Sequence, residues 1–253
     1  MKRLCLAALF GLAALSAAPE PTSAAFVQHV PVLMYHNVLP RSQWPANASP
    51  SMFITPAQIE AQLTALYRDG WRSVLAREVA SYTKASKRIH GKAFVISVDD
   101  GHGSDYRYLF PILRRLHLRA TFFVIGERFG REDFLTVRQL REMNAAGMEI
   151  ANHTYTHATL PKLTRQQVID EVRLGSDAVY DAVGRRPVTL AYRGGHYNTA
   201  VMDAVRAEGS TLMAFTVEAG ATQSWSTRLH EERFAVRNDT TPAGLVRKLY
   251  PYR

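Results

Sequence analysis

Short apolar segments alternate along the chain with segments of helical periodicity, and this alternation restricts the fold more than any other feature. The segments "FVISV", "ATFFVI" and "VTLAY" are rich in β-branched and aromatic residues, as buried strands are. Helical segments separate them, and this order indicates βαβ units with a parallel sheet. No internal repeat or low-complexity linker interrupts the pattern. We predict an α/β fold in which a single, barrel-like domain is favoured over two smaller ones.

Local signals mark where two of the helices begin. Thr55, followed by proline, gives an N-cap with proline in the first turn. Thr164 with Gln167 three residues later makes a capping box, and the helix that it opens ends at Gly184. The stretch 37–52, rich in Pro, Ser and Asn, is predicted to be a loop.

Reactive side chains follow four of the predicted strands. His36 ends "VPVLMY", Asp99 and Asp100 end "FVISV", His153 ends "MEIAN", and Arg193 closely follows "VTLAY". In parallel α/β barrels the reactive residues gather at the carboxyl ends of the strands. The sequence therefore predicts a functional site at that end of the barrel.

The segment "HTYTH" carries His153 and His157 four residues apart. Such a pair is by itself commonplace in a loop or on a helix face. Together with a carboxylate at another strand end, however, two neutral imidazoles suit a divalent, zinc-like cation and leave positions open for water and substrate. A cation of this kind lowers the pKa of its water and polarises a carbonyl group.

The segment "SVDDG" places Asp99 and Asp100 directly before Gly101. Asp-Gly is a common turn signal, so a tight turn is the simplest interpretation. Two adjacent ionised carboxylates would repel each other if both were buried, and a cation on one of them relieves that repulsion. The other carboxylate is then free to accept a proton, so the pair also makes sense as a metal ligand and a general base.

The segments "SVDDG", "HTYTH" and "GGHYN" occur in this order, and together they resemble the motifs of the polysaccharide deacetylases of the NodB-homology superfamily, carbohydrate esterase family four. Two further segments, "VPVLMYHNV" and "AFTVEAG", resemble the branch that includes the biofilm poly-N-acetylglucosamine deacetylases. The resemblance covers roughly residues 30 to 240. Any one motif is weak, whereas the combination is specific.

This resemblance implies a distorted (β/α) barrel of the NodB-homology type that hydrolyses N-acetyl groups on a glycan and releases acetate. Carried over by position, Asp99 is the general base, and Asp100, His153 and His157 hold the metal. Zinc is the favoured ion, with Co²⁺ or Ni²⁺ as alternatives. The metal stabilises the oxyanion, and a backbone N–H near Tyr197 is a candidate to assist it.

One position departs from the family pattern. The third motif often carries an arginine that orients the catalytic base, and alignment on "GGHYN" places Ala191 there. The branch that the chain resembles often lacks this arginine as well. Arg193 lies two residues further on, so it is either a substitute that reaches the same carboxylate or an ordinary loop arginine.

The general acid and the substrate contacts rest on weaker signals. His36, at a strand end, is our candidate for handling protons or contacting substrate. His102 beside the aspartates and Tyr197 in the third motif are candidate substrate contacts. Trp225, in the polar stretch "ATQSWSTR", is predicted to be exposed and to stack on sugar faces, whereas His230 is predicted to be a surface residue.

Residues 1–25 have the pattern of a secretory signal peptide: two basic residues, an apolar run and then small residues. The apolar run is shorter than the ~20 residues that span a bilayer. We expect the catalytic domain to be residues 26–253 and the protein to be exported to the periplasm or the cell exterior. The chain's one cysteine, Cys5, lies in this leader, so the mature protein would have no disulfide.

The net charge of +9 would attract polyanions. No basic cluster interleaved with aromatic residues is present, so nucleic acid is not expected as a partner, and the charge is interpreted as a solvated surface. We expect a monomer whose partner is a polysaccharide containing N-acetylglucosamine.

Three functional hypotheses follow. The first is a metal-dependent polysaccharide deacetylase, with poly-β-1,6-N-acetylglucosamine favoured over chitin-like oligomers or peptidoglycan. The second is a non-catalytic glycan-binding module on the same fold, which the missing arginine and unclear acid would allow. The third is a metal-dependent amidohydrolase acting on a small exported amide.

Overall fold

The computed structural model describes residues 26–253, and the predicted signal peptide, residues 1–25, lies outside the described residues. The strands are β1 (Val27–His29), β2 (Val32–Tyr35), β3 (Asn37–Val38), β4 (Phe53–Ile54), β5 (Arg72–Val74), β6 (Ala93–Asp100), β7 (Thr121–Val124), β8 (Glu149–Asn152), β9 (Thr189–Ala191), β10 (Met213–Phe215), β11 (Thr222–Ser224) and β12 (Phe234–Ala235). The helices are α1 (Pro56–Arg68), α2 (Ala76–Lys84), α3 (Phe110–Arg115), α4 (Val137–Ala145), α5 (Arg165–Val183), α6 (Thr199–Glu208) and α7 (Pro242–Leu249). None of these helices combines the length and the apolar character needed to cross a bilayer.

The main sheet has the strand order β10-β9-β8-β7-β6-β2-β12, with β5 also paired to β6, and every pair in it is parallel. Its two edges are joined by residues 228–235, which we call the closing segment. The Ala214 N–H donates to the Arg228 carbonyl at 2.7 Å, and the Thr216 N–H donates to the Glu231 carbonyl at 2.9 Å. The same segment then continues into β12 beside β2. The predicted distorted barrel in a single domain is confirmed.

The interior of the barrel is filled by small and aromatic side chains from successive strands. Val95, Phe123, Ala151 and Phe215 are buried in one cluster, which Val79 of α2 also joins. Helix α2, which the sequence analysis did not predict, therefore covers the amino ends of the strands. A second cluster lies between the sheet and its outer helices and includes Trp71, Leu63, Leu113 and Leu140.

The helix boundaries follow the local signals closely. Thr55 and Thr164 each cap a helix through a capping box, and Gly184 ends α5 with a left-handed φ of 72°. Part of the predicted loop 37–52 is instead ordered as β3, which pairs with β4. A π-type turn precedes α3, in which the Phe110 N–H donates to the carbonyl five residues earlier.

Candidate active site

The two aspartates are the last residues of β6, and this position separates their side chains. Successive side chains of a strand point to opposite sides, so adjacent carboxylates can bind different partners. Asp100 has a left-handed φ of 78° and Gly101 follows with 74°. A Cβ on Gly101 would lie 2.8 Å from Val124 Cγ1, so the turn requires glycine. The predicted turn is therefore present, and it is compatible with separate roles for the two carboxylates.

Asp100 lies against the two histidines of "HTYTH". Its Oδ1 is 3.5 Å from His153 Nε2 and 3.4 Å from His157 Nε2. One ligand atom from each of the three residues lies within 4.8 Å of the others. The structure thus brings together the three residues that the sequence predicts as metal ligands.

The orientation of His153 is fixed by a backbone contact. Its Nδ1 is 2.7 Å from the Ala191 carbonyl oxygen, which can only accept, so Nδ1 carries the proton. Nε2 therefore faces Asp100 and is the nitrogen placed to bind a cation, with the ring held by an outer hydrogen bond. Ala191 occupies the position where the family's arginine is often found.

Burial and hydrogen bonding set the charges of this cluster. Burial raises the pKa of Asp100, but contacts from His102 and His153 outweigh it and hold that pKa far below the ordinary value. Burial lowers the pKa of His157 to about 4, so this imidazole is neutral near pH 7. An ionised carboxylate and a neutral imidazole are the forms that bind a divalent cation.

Asp99 is bound by an arginine that the sequence analysis did not identify. Arg233 donates from Nη1 to Asp99 Oδ1 and from Nη2 to Oδ2, both at 2.8 Å, and both side chains are buried. The Arg233 Nε also donates to the Thr216 carbonyl at 2.8 Å. Burial would raise the pKa of Asp99, but the Arg233 charge outweighs it, and the pKa is lowered. Asp99 is therefore ionised and held in one orientation.

The prediction that Arg193 reaches the base carboxylate is wrong. Arg193 begins a short 3-10 turn beyond β9, is exposed, and donates from Nη1 to Thr159 Oγ1 at 2.5 Å. The arginine comes instead from the closing segment of the barrel, 134 residues from Asp99. Arg233 begins the segment "RFAVR", and no local pattern there distinguishes a buried arginine from an exposed one.

His36 lies beside Asp99, as its place at a strand end predicts. Its Nε2 is 3.9 Å from Asp99 Oδ2, and its buried Nδ1 has no hydrogen-bond partner among residues 26–253. Burial lowers the pKa of His36, so the ring is neutral near pH 7. The geometry permits a proton-handling role, which stays a prediction.

His102, a predicted substrate contact, lies beside Asp100, one of the predicted metal ligands. Its Nε2 is 3.5 Å from Asp100 Oδ2, the carboxylate oxygen that does not face His153. Its ring stacks on Phe134 with centroids 5.2 Å apart. His102 therefore supports the orientation of Asp100 as well as lining a cavity, and its contact with substrate stays a prediction.

Tyr197 belongs to a stack of three rings. It lies between Tyr192, at 5.8 Å, and His230, at 5.7 Å, and its hydroxyl donates to Glu218 Oε1 at 3.2 Å. His230 is thus partly buried rather than a free surface residue. The stack joins the third motif to the closing segment that carries Arg233.

Trp225 is not placed at the site, and its predicted role beside the glycan groove is wrong. The residue follows β11, which pairs with β1 ahead of the amino end of β2. Its ring lies under Arg228 at 4.5 Å and near Lys84, the last residue of α2, at 5.9 Å. It is therefore at the end of the barrel opposite the aspartates and only partly exposed.

Comparisons with known proteins agree with this geometry. The family model described as polysaccharide deacetylase matches residues 86–213, half of the chain. The protein YxkH of Bacillus subtilis (strain 168) is 29% identical over 193 residues, which are 76% of this chain and 66% of YxkH. The peptidoglycan-N-acetylglucosamine deacetylase PgdA of Listeria monocytogenes is 28% identical over 146 residues, 57% of this chain and 28% of PgdA. The chain thus spans less than two thirds of the length of these curated relatives.

Two solved structures share the fold. The Streptococcus pyogenes deacetylase PplD in complex with acetate aligns with a TM-score of 0.80 at 23% identity, covering 87% of this chain and 98% of PplD. IcaB from Ammonifex degensii aligns with a TM-score of 0.75 at 24% identity, covering 88% of this chain and 97% of IcaB. A parallel barrel with an Asp-His-His cluster beside a buried carboxylate has a site of the kind that can hold a divalent cation. The family match shows that this chain belongs to the polysaccharide deacetylases.

Proposed function

We propose that this protein hydrolyses N-acetyl groups on a polysaccharide containing N-acetylglucosamine and releases acetate. The observation that carries the proposal is the division of two adjacent carboxylates. Asp99 is held ionised by Arg233, whereas Asp100 converges with His153 and His157. A base and a ligand cluster are therefore side by side at one strand end, as hydrolysis of an amide requires.

The ligand cluster fits zinc. Two imidazole nitrogens and one carboxylate oxygen are the donors that zinc takes in catalytic sites, and His153 already presents Nε2 through its bond to the Ala191 carbonyl. Co²⁺ or Ni²⁺ would accept the same donors. When bound, such a cation polarises the acetamide carbonyl and lowers the pKa of water.

The remaining steps belong to side chains of the chain itself. Asp99 removes a proton from the attacking water, and Arg233 keeps Asp99 ionised and aimed before that step. As the C–N bond of the acetamide breaks, the departing nitrogen needs a proton. His36, 3.9 Å from Asp99, is the group we assign to pass to that nitrogen the proton that Asp99 took from the water. A backbone N–H near Tyr197 assists the developing oxyanion.

Poly-β-1,6-N-acetylglucosamine is the favoured substrate. The segments "VPVLMYHNV" and "AFTVEAG" resemble the biofilm branch, and IcaB shares the fold over nearly its whole length. PgdA is named for peptidoglycan N-acetylglucosamine, so peptidoglycan is the second candidate, beside chitin-like oligomers. Export to the periplasm or cell exterior, where such polymers lie, is part of the proposal.

Acetate release from defined oligomers tests the proposal. Purified protein is assayed with β-1,6- and β-1,4-linked N-acetylglucosamine oligomers and with peptidoglycan fragments, before chelation, after chelation and after zinc is restored. We expect the fastest release from β-1,6 oligomers, its loss with chelator and its recovery with zinc. His153→Ala should lose both zinc and activity. Absence of acetate from all substrates would contradict the activity, and faster release from another substrate would contradict the favoured one.

A further inference from the structure

A groove leads away from the metal ligands between α4 and the turn that precedes α3. It consists of two cavities, of about 630 Å³ and 680 Å³, which share Arg107 and Gln139 in their walls. The near cavity begins at His102, which is 3.5 Å from Asp100. The far cavity lies beyond Arg107 and is lined by Tyr106, Phe110, Pro111 and Arg114. Because the two cavities share these two residues, a glycan strand whose acetamide reaches the site can extend from the near cavity toward the far one.

The far cavity has an aromatic wall. The rings of Tyr106 and Phe110 stack with centroids 5.5 Å apart and planes at 28°. The Tyr106 hydroxyl donates to Glu142 on α4, which fixes that ring. Fixed aromatic side chains with a polar tip are suited to a ligand that is apolar on one face and wet on the other, as a sugar ring is.

The same cavity has two arginines without a carboxylate partner. Arg107 and Arg114 are exposed, and neither forms an ion pair or a side-chain hydrogen bond within residues 26–253. Nearby arginines differ, because Arg115 is paired with Glu60 and Arg138 with Glu142. The far cavity therefore presents two arginines outside any of these ion pairs, and the Glu142 carboxylate behind Tyr106 is already paired with Arg138.

The near cavity has the opposite character. Glu132 and Asp133 line it, and the ion pairs formed within residues 26–253 include neither carboxylate. The near cavity thus has two carboxylates beside the shared Arg107, whereas the far cavity has Arg107 and Arg114. A cationic sugar is favoured in the near cavity and opposed in the far one.

We propose that the far cavity is a glycan subsite that accepts an N-acetylated sugar and rejects a glucosamine. This inference rests on the proposed function, whose product carries an ammonium group in place of the acetamide. An uncharged acetamide can accept hydrogen bonds from Arg107, Arg114 and the Gln139 amide, whereas an ammonium group is repelled by both guanidinium groups. Sugars that have already been deacetylated therefore prevent reaction at one fixed spacing along the strand, and the polymer is deacetylated at scattered positions.

Oligomers with one glucosamine at each position in turn test the subsite. Wild-type protein should show one position at which glucosamine lowers kcat/KM for acetate release about tenfold, mainly through KM, and the penalty should shrink in high salt. The double variant Arg107→Gln, Arg114→Gln removes both charges but keeps side-chain donors, and it should reduce the penalty, measured within that variant as the ratio of kcat/KM for the acetylated and the glucosamine-containing oligomers, to within about twofold. The matched control is Arg165→Gln with Arg185→Gln, two exposed arginines on α5 and just after it, which should retain the full penalty.

The results distinguish failure of the proposed subsite from failure of the proposed function. No position-dependent penalty in the wild-type protein, or a penalty that survives in the Arg107→Gln, Arg114→Gln variant, would overturn the subsite while leaving the deacetylase activity intact. A wild-type protein that releases no acetate from any oligomer would overturn the proposed function, and the subsite with it. Circular dichroism of each variant checks that the fold is retained.

Discussion

Glu149 and Asp99 are carboxylates buried at opposite ends of the barrel, and they are bound by different kinds of hydrogen-bond donor. Glu149 begins β8 and accepts hydrogen bonds from Thr121 Oγ1 at 2.8 Å, Thr189 Oγ1 at 3.0 Å and the Arg77 N–H at 3.0 Å. Asp99, near the end of β6, is instead bound by a guanidinium group. Burial is almost complete for both side chains, so burial alone does not distinguish a structural carboxylate from a functional one.

The difference lies in the charge of the donors. Burial raises the pKa of Glu149, and its hydrogen bonds to hydroxyl and backbone groups do not offset that effect. The Arg233 charge lowers the pKa of Asp99 despite the same burial. Strained backbone also gathers at the Asp99 end, where Asp100, Thr154 and His157 have positive φ. At the amino end of the barrel the buried carboxylate joins strands to a covering helix, whereas at the carboxyl end a buried carboxylate is kept ionised.

Conservative amide substitutions should separate these two roles most strongly. Asp99→Asn removes the base, so kcat for acetate release should fall about 10²–10⁴-fold. Glu149→Gln leaves the site intact and should keep kcat within about threefold while lowering the free energy of unfolding by about 1–3 kcal/mol, because one donor then faces an amide N–H₂. Steady-state kinetics and urea unfolding measure the two effects. Equal losses of kcat in both variants would contradict the assignment of different roles to Asp99 and Glu149.

Removing Arg233 should lower the stability of the protein as well as its activity. Arg233→Met leaves Asp99 buried without its partner, and we expect the free energy of unfolding to fall by about 3–5 kcal/mol. The matched control is Arg119→Met, because Arg119 makes the same two-pronged contact with Glu78, at 3.0 Å, on the surface. That change should cost less than about 1 kcal/mol. Similar losses in the two variants would show that burial of the Asp99 pair has no special consequence.

Glu231, on the closing segment, is a third buried carboxylate and resembles Glu149 more than Asp99. Burial raises its pKa from 4.5 to about 7. Stability from the protonated form is fully present below pH 4.5 and is lost as pH rises through 7, a change on the order of 3 kcal/mol. Glu231→Gln should flatten the dependence of the unfolding free energy on pH in this window. The exposed Glu132→Gln should leave the dependence as in the wild type, and an unchanged slope in Glu231→Gln would contradict this account.

Substitution of Trp225 should have the smallest effect on function. Because its ring lies at the end of the barrel opposite Asp99, Trp225→Ala should leave KM for oligosaccharides within about twofold, since surface changes away from the site are mostly mild. Oligomer titrations with the wild-type and variant proteins measure this. A several-fold rise in KM would indicate that Trp225 contacts the substrate.

The residues that could be predicted from sequence are those with a local signature. Asp99, Asp100 and His153 lie at the ends of apolar strand segments, His157 follows His153 by four residues in the same motif, and Thr55 and Thr164 have their capping partners three residues away. These signals are contained within a few residues, so they can be recognised without knowledge of the tertiary fold.

The features that were missed depend on distant contacts. Arg233 reaches Asp99 only because the closing segment returns between β10 and β2, and its sequence neighbours give no sign of burial. Trp225 looked exposed in a polar stretch, but the pairing of β11 with β1 takes it to the far end of the barrel. Helix α2 begins at Ala76 after Leu75, which offers no side-chain cap.

The pH dependence of kcat/KM in the wild-type protein and in Arg233→Met tests most directly whether Arg233 keeps Asp99 ionised as a base. With Arg233 present, the pKa of Asp99 lies below its ordinary value of 3.8, so the base is ionised throughout the neutral range. Without the guanidinium, the largest effect opposing burial is lost and the pKa of Asp99 rises. The acid limb of the activity profile should therefore move to higher pH. Arg233→Lys, which keeps the charge, should show an intermediate shift. An acid limb at the same pH in all three proteins would contradict the account.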